Sequence, residues 1–537
     1  MGLRLDDWFL SPGERGNSAT EIDRRRGDGR GWTEGNRVEV LVDGSEYFRR
    51  LYAALLSLER DDSLQFTDWE GDGDEVLCGP GTEIGRVLAD VARRGVQVRG
   101  LLWRSHPRQT HFAEQQNASM AKMVDGAGGE VVLDERVRRG GSHHQKLVVL
   151  RHDAVSDDDV AFEGGIDLCH GRNDDARHAG DEQAVGLDRR YGTRPPWHDV
   201  QIEVRGPAVG DLDYTFRERW QDPTPLDHRN PWRMAARRFT GEPRHPDPLR
   251  PQPVDPAPQG THAVQVMRTY PAKRPRYPFA PEGERSIARA YLKAFRRARR
   301  FVYLEDQYLW SSQAAHALAD ALRRHRDLHV VAVVPRYPDR DGRATSAASR
   351  IGREYVTDIL RQAGGDRVAV YDLENSEGTP IYVHAKVCII DDTFLVVGSD
   401  NVNRRSWTHD SEISCSVIDA TLDERAPTDP GGLGDGARLL ARDTRLRLWR
   451  EHLERVHGDD ADLLEPADGF TAFSESAAAL DEWHRNGMRG PRPPGHLRRH
   501  KPERVTIWAR WPALALYRIV LDPDGRPRYL RRRGDSI

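Results

Sequence analysis

Two stretches decide how this chain of 537 residues is read: HQKLVVLRHD at 144–153 and HAKVCIIDDT at 384–393. Each sets a histidine and a lysine two positions apart and follows them with an apolar, largely β-branched run. Side chains two apart on a strand share a face, so each His–Lys pair projects to one side. The stretches lie 240 residues apart, and other matches accompany them. LADVARR at 88–94 returns as LADALRR at 318–324, an offset of 230, and AGGEVVL at 127–133 returns as AGGDRVAV at 363–370, an offset of 236. Three matches in one order, with a slowly growing offset, mark an internal repeat, and a repeat sets the architecture.

Upstream of these matches, Tyr47, Phe48, Leu51, Tyr52, Leu55 and Leu56 recur at helical spacing, as do Ile287, Tyr291, Leu292 and Phe295 in the second copy. Each helix leads into a strand, SLQFTDW ending at Trp69 and RFVYLEDQYLW ending at Trp310. Alternating strands and amphipathic helices predict an α/β fold of two pseudo-symmetric halves. Each half is expected to be a mixed sheet flanked by helices, with the active site at their interface. The predicted divisions are an N-terminal extension at 1–34, a first half at 35–240, a proline-rich connector at 241–260, a second half at 261–460 and a basic C-terminal extension at 461–537. Proline density in GEPRHPDPLRPQPVDPAPQGTH, 241–262, sustains neither helix nor central strand.

Composition narrows the partners. With 81 basic and 85 acidic residues the net charge is −4, so the molecule has no overall bias toward nucleic acid or anionic membrane, and an anion site must be local. Cys78, Cys169, Cys388 and Cys415 are scattered and lack a CxxC pair, which predicts core thiols in a reduced compartment. The start MGLRLDDWFLSPGERGN has no basic head followed by an apolar stretch, and no run approaches the roughly 18 apolar residues of a membrane span. A cytoplasmic chain is expected, touching membranes only peripherally.

The chemistry rests on residue types. A lysine ammonium neutralises phosphate oxygens as a point charge, while a neutral imidazole attacks phosphorus or transfers a proton. One His–Lys pair alone is equally well read as surface residues on an edge strand. Two pairs, His144 with Lys146 and His384 with Lys386, can meet about a pseudo-twofold axis, one histidine as nucleophile and the other as acid for the leaving oxygen. Asp391 completes an HxKxxxxD pattern and is expected among the catalytic residues. Aligning FLVVGSDN (394–401) with VAFEGGID (160–167) pairs Ser399 with Gly165 and Asn401 with Asp167, the expected substrate-binding positions. The following strands then pair Glu412 with Asp199, expected to orient His384 and His144 respectively.

These residues resemble the phospholipase D superfamily, marked by a duplicated HxKxxxxD with GSxN or GG beyond it. GGIDLCHGRND at 164–174, PWHDVQIEVRGPA at 196–208 and VYLEDQYL at 302–309 are similar to signatures of the phosphatidylcholine-cleaving members. The resemblance spans most of residues 40–460. It implies hydrolysis of the distal phosphodiester of a phospholipid through a phosphohistidine, with transphosphatidylation when an alcohol replaces water. It implies no cofactor and no metal, and it favours His144 as nucleophile. The expected partner is a phospholipid at a membrane surface, met by a monomer without nucleic acid. A nuclease or other phosphodiesterase, a cardiolipin synthase-like transferase and a non-enzymatic lipid-binding protein are the alternatives. One departure stands out: Arg151 occupies the place of Asp391, and Asp153, two residues later, is the expected substitute. Twenty-one positions separate His144 from Gly165, against fifteen from His384 to Ser399.

Overall fold

The computed structural model describes residues 2–104, 114–153, 157–226, 245–339, 343–501 and 505–532. Residues 241–244 of the connector and 154–156 of the long loop lie outside them.

In the first half the strands are β1 (Thr33–Val42), β2 (Ser63–Asp68), β3 (Gln97–Trp103), β4 (Glu130–Asp134), β5 (Leu147–Arg151), β6 (Val160–Gly164), β7 (Trp197–His198) and β8 (Val200–Arg205). Seven of them form a mixed sheet in the order β1-β8-β6-β5-β2-β3-β4, parallel only between β2, β3 and β4. The second half contributes β9 (His262–Tyr270), β10 (Glu284–Arg285), β11 (Phe301–Glu305), β12 (His329–Val333), β13 (Val368–Glu374), β14 (Pro380–Val383), β15 (Val387–Ile390), β16 (Phe394–Gly398) and β17 (Glu412–Asp419). Its sheet repeats the same order, β9-β17-β16-β15-β11-β12-β13, with the same parallel trio. The sheets join where β1 pairs antiparallel with β9.

Alternation decides what each face meets. Leu147 and Val149 of β5 join Val387 and Ile389 of β15 in one apolar cluster shared by both sheets. Val148 and Leu150 turn to helices Gly44–Ser57 and Ile84–Arg93, while Cys388 and Ile390 turn to helices Ser286–Arg297 and Ser312–Arg324. The layers therefore run helix, sheet, sheet, helix, as expected of α/β halves. Each fully buried aliphatic contributes about 1.5–3 kcal/mol, so the shared cluster holds the halves together strongly. The repeated LADxxRR segments lie on equivalent helices; Leu88 and Leu318 are both buried there.

Three expectations need correction. The strand read as ending at Trp310 stops at Glu305, because the Asp306 carboxylate accepts the Tyr308 and Leu309 amides and turns the chain. His144–Lys146 and His384–Lys386 lie just ahead of β5 and β15 rather than on them. And Cys78 is exposed, whereas Cys169, Cys388 and Cys415 are buried.

Both ends of the chain pack on the second half. Trp8 stacks on Phe394 at 5.2 Å between ring centroids, and Arg15, fully buried, pairs with Asp23 and Glu284. Near the other end β18 (Leu497–Arg499) adds to the edge of β13. Among the described residues no helix is long and apolar enough to cross a membrane.

Candidate active site

The two His–Lys segments leave their own sheets to bind the opposite half. The His144 amide donates to Ser411 O at 2.9 Å, and the His384 amide donates to His198 O at 2.8 Å. Ser411 and His198 each directly precede the carboxylate in question, so the backbone bond delivers each imidazole to the other half's acid. His144 Nδ1 lies 2.8 Å from Glu412 Oε2, and His384 Nδ1 lies 2.6 Å from Asp199 Oδ2. This reverses the expected pairing. Glu412 and Asp199 are equivalent positions, but Glu412 orients His144 and Asp199 orients His384, because the pseudo-twofold axis crosses the partners between halves. With Nδ1 engaged, Nε2 is the nitrogen each ring turns to chemistry.

The lysines are buried beside them. Lys146 Nζ donates to His144 O at 3.1 Å and lies 3.3 Å from Asp167; Lys386 Nζ donates to His384 O. Burial, with Lys146 also nearby, brings Lys386 down to about 8. Burial and the two lysines hold His144 well below the usual imidazole range, and burial and Lys386 bring His384 to about 3, so both rings are neutral at pH 7. A neutral ring is the form that can attack phosphorus.

The carboxylates differ. Burial opposes ionisation of Asp199, but the adjoining His384 ring, Lys386 and the Val200 amide outweigh it and bring Asp199 to about 2. The indole N–H of Trp197 adds a 3.3 Å contact to the same carboxylate, and its ring lies 5.0 Å from that of His384. Glu412 is pushed up to about 8 by burial and by the like charge of Asp410, so it is a neutral acid at pH 7. Trp197 and Asp410 occupy the same place, two residues before each carboxylate.

The four expected substrate-binding positions separate. The Ser399 hydroxyl does not face a substrate; it donates to Glu412 at 2.6 Å and accepts the Ile413 amide. At Gly165 an added Cβ would lie 2.0 Å from Asp199 Oδ1, so the glycine makes room for that acid. Asp167, held in the ionised form, accepts the Trp69 amide and steers Lys146. Asn401 differs from these three in that its Oδ1 is buried without a hydrogen-bond partner among the described residues.

Asp391 also needs correction. Its carboxylate accepts the amides of Arg299, Arg300 and Phe301 at 2.8–2.9 Å, a cap on the entry to β11 rather than a catalytic group. Arg151 solves the same corner differently, through buried bonds to Asp159 and Asp213. Asp153 does not substitute by its side chain; its amide donates to Asp62, an acid on the facing loop.

Sequence reasoning missed Arg172. Its guanidinium lies 3.9 Å from the Trp197 ring centroid; burial opposes its charge, but the Asp167, Glu70 and Asp199 carboxylates, beside the Cys169 sulfur, raise it. It adds a third cation beside the lysines, and its signal was the GRND run. Behind Asp199, the ligand atoms of Asp43, His178, His198 and Glu451 lie within 4.8 Å of one another, as do those of His198, Glu305 and His452. These residues could hold a divalent cation. As they stand, the Asp43 and Glu451 charges, and for His198 also Glu305, raise His178 to about 9 and His198 further despite burial.

Two neutral imidazoles and two lysines close enough to influence one another are the groups that phosphoryl transfer requires. Two family models match the chain, one described as Phospholipase D over residues 74–230 and one as Cardiolipin synthase, PLD-like domain, over residues 291–426. The chain is 25% identical over 548 residues to phospholipase D alpha 1 of Cynara cardunculus, covering 78% of this chain and 65% of that one. It is 26% identical over 507 residues to phospholipase D alpha 2 of Oryza sativa subsp. japonica, covering 72% and 60%. It thus spans less than two thirds of the length of these plant relatives. A crystal structure of phosphatidylserine synthase from Haemophilus influenzae Rd KW20 shares the fold at a TM-score of 0.50 and 13% identity, covering 84% of this chain and 93% of that one. The chain belongs to the phospholipase D superfamily.

Proposed function

We propose that the protein is a phospholipase D, cleaving the distal phosphodiester of a phospholipid such as phosphatidylcholine. The observation that carries the reading is the crossed pairing, in which each imidazole is held through Nδ1 by the opposite half's acid. One Nε2 lone pair attacks phosphorus while the other histidine, which takes up a proton at Nε2 as the anionic phosphodiester enters, gives that proton to the headgroup oxygen, so the P–O bond breaks as the P–N bond forms. Water then attacks phosphorus and gives a proton to the second histidine as the P–N bond breaks, which returns the lone pair to the first histidine and releases phosphatidic acid. An alcohol in place of water gives a transphosphatidylation product. Lys146, Lys386, Arg172 and the Asn401 amide offer charge and donors to the non-bridging oxygens. The substrate class is supported by the relatives named phospholipase D.

Incubation with phosphatidylcholine and ethanol should yield phosphatidylethanol, and acid-free quenching should trap a phosphohistidine peptide. Turnover of single-stranded DNA with no turnover of any phospholipid would replace this reading by a nuclease.

A further inference from the structure

The last described stretch, 505–532, packs Ala513, Leu514 and Tyr517 against Ala348 and Ile351 but leaves five other large apolar side chains uncovered. Trp508, Trp511, Ile519 and Val520 are 90%, 79%, 74% and 51% exposed, and Tyr529 is 49% exposed. Spacings of three, four and four residues set Trp508, Trp511, the exposed Ala515 and Ile519 near one stripe of the helix Ile507–Leu516 and the turn that follows it. Single exposed hydrophobes are ordinary, but this concentration marks a docking surface.

Charge says what docks. The stretch holds six arginines, at 510, 518, 526, 528, 531 and 532, against Asp522 and Asp524, in a chain whose net charge is −4. Asp522 is buried and accepts the Arg405 amide, Asp524 pairs with Arg526 and Glu354 lies 3.9 Å from Arg510, so Arg518, Arg528, Arg531 and Arg532 carry the excess positive charge. Indole rings seat at the headgroup level of a bilayer, and guanidinium groups draw anionic headgroups, so the combination fits a lipid surface.

The surface is tied to the site. Tyr517 donates to Trp310 O at 3.2 Å, and both rings close on Gly352, where an added Cβ would lie 2.6 Å from Tyr517 and 2.9 Å from Trp310. Arg405 donates to Val520 O at 3.0 Å and to Asp410 at 2.6 Å, and Asp410 accepts the Ser142 amide two residues before His144. From these contacts we infer that residues 505–532 seat the protein on an anionic phospholipid bilayer and so present the catalytic cleft to the interface. The inference rests on the phospholipase D reading.

Two arms test it with the full chain. Turnover is silenced by His144→Ala, and co-sedimentation is measured with phosphatidylcholine vesicles with and without phosphatidylglycerol. Binding should require phosphatidylglycerol, weaken with salt, and fall about tenfold or more when Trp508→Ala and Trp511→Ala are added. In the active chain the same two tryptophan substitutions should depress vesicle turnover but leave kcat/KM for a short-chain, monomeric phosphatidylcholine unchanged. Equal vesicle binding with and without the tryptophans would overturn the inference. So would self-association of the lipid-free protein that the double substitution abolishes, because a second copy would then be the occupant. Failure to cleave even the monomeric lipid would refute the phospholipase reading instead, and the sedimentation arm would still report on the surface.

Discussion

The His384–Asp199 and His144–Glu412 pairs are built on one plan and charged differently. Equivalent backbone bonds seat both rings, yet Asp199 is ionised and Glu412 is a neutral acid at pH 7. Two neighbouring positions account for this. Beyond burial, Trp197, with an N–H to give, stands where Asp410 stands with a negative charge, and Gly165 stands where the Ser399 hydroxyl donates to Glu412, a bond that lowers Glu412 but does not outweigh burial and Asp410. A duplicated scaffold thus makes one imidazole backed by an anion and another backed by an acid by changing what surrounds the carboxylate, without moving it. The ionised partner favours Nδ1–H and a free Nε2 lone pair on His384, the arrangement a base or nucleophile needs.

The comparison can be broken in several ways. Replacing either histidine by alanine should cost about 10⁴-fold or more in kcat with the fold intact by circular dichroism; a loss under tenfold at either would end the shared-site reading. The carboxylates should then separate. Asp199→Asn should cost roughly 10³–10⁴-fold, as loss of an orienting anion does, whereas Glu412→Gln, which replaces an already neutral group, should cost about tenfold. Equal losses would show that the two acids share one charge state. Gly165→Ser, which imposes the Ser399 arrangement on the wrong side, should lower kcat roughly a hundredfold by displacing Asp199.

The pH profile sharpens the same contrast. Lys386 sits at about 8, so kcat/KM should fall tenfold per unit above that pH. Glu412, raised to about 8, binds its proton more tightly folded than unfolded. Its stabilising contribution is full below the ordinary glutamate range and is lost as pH rises through 8. Glu412→Gln should therefore gain on the wild type in urea denaturation between pH 6 and 9, and a constant gap would contradict the neutral acid. The smallest effect on activity belongs to Asp391→Ala. It should remove about 3 kcal/mol of stability, by freeing three amides, yet leave kcat within a few-fold.

The sheets and both His–Lys pairs were legible in the sequence because each leaves a periodic or repeated trace. The apolar runs LVVL and VCII marked buried strands, and the repeat placed His144 opposite His384. The crossing of Asp199 and Glu412 was not legible. Alignment says which residues are equivalent, but the half they face depends on where each His–Lys segment leaves its sheet, a long-range packing choice. Ser399 and Asp391 failed for a related reason: a polar side chain in a motif can spend its bonds inward, and only geometry reveals that Ser399 serves Glu412 and Asp391 caps β11.

The crossed carboxylates also make the chemistry indivisible. The first 240 residues hold His144, Lys146 and Asp199 but lack the acid that orients His144, and the second half holds His384 and Glu412 but lacks the one that orients His384. A ribosome-bound chain therefore carries an unassembled site until β17 has been made and docked. A partly made chain is in this way kept from assembling the site through most of its synthesis by connectivity alone.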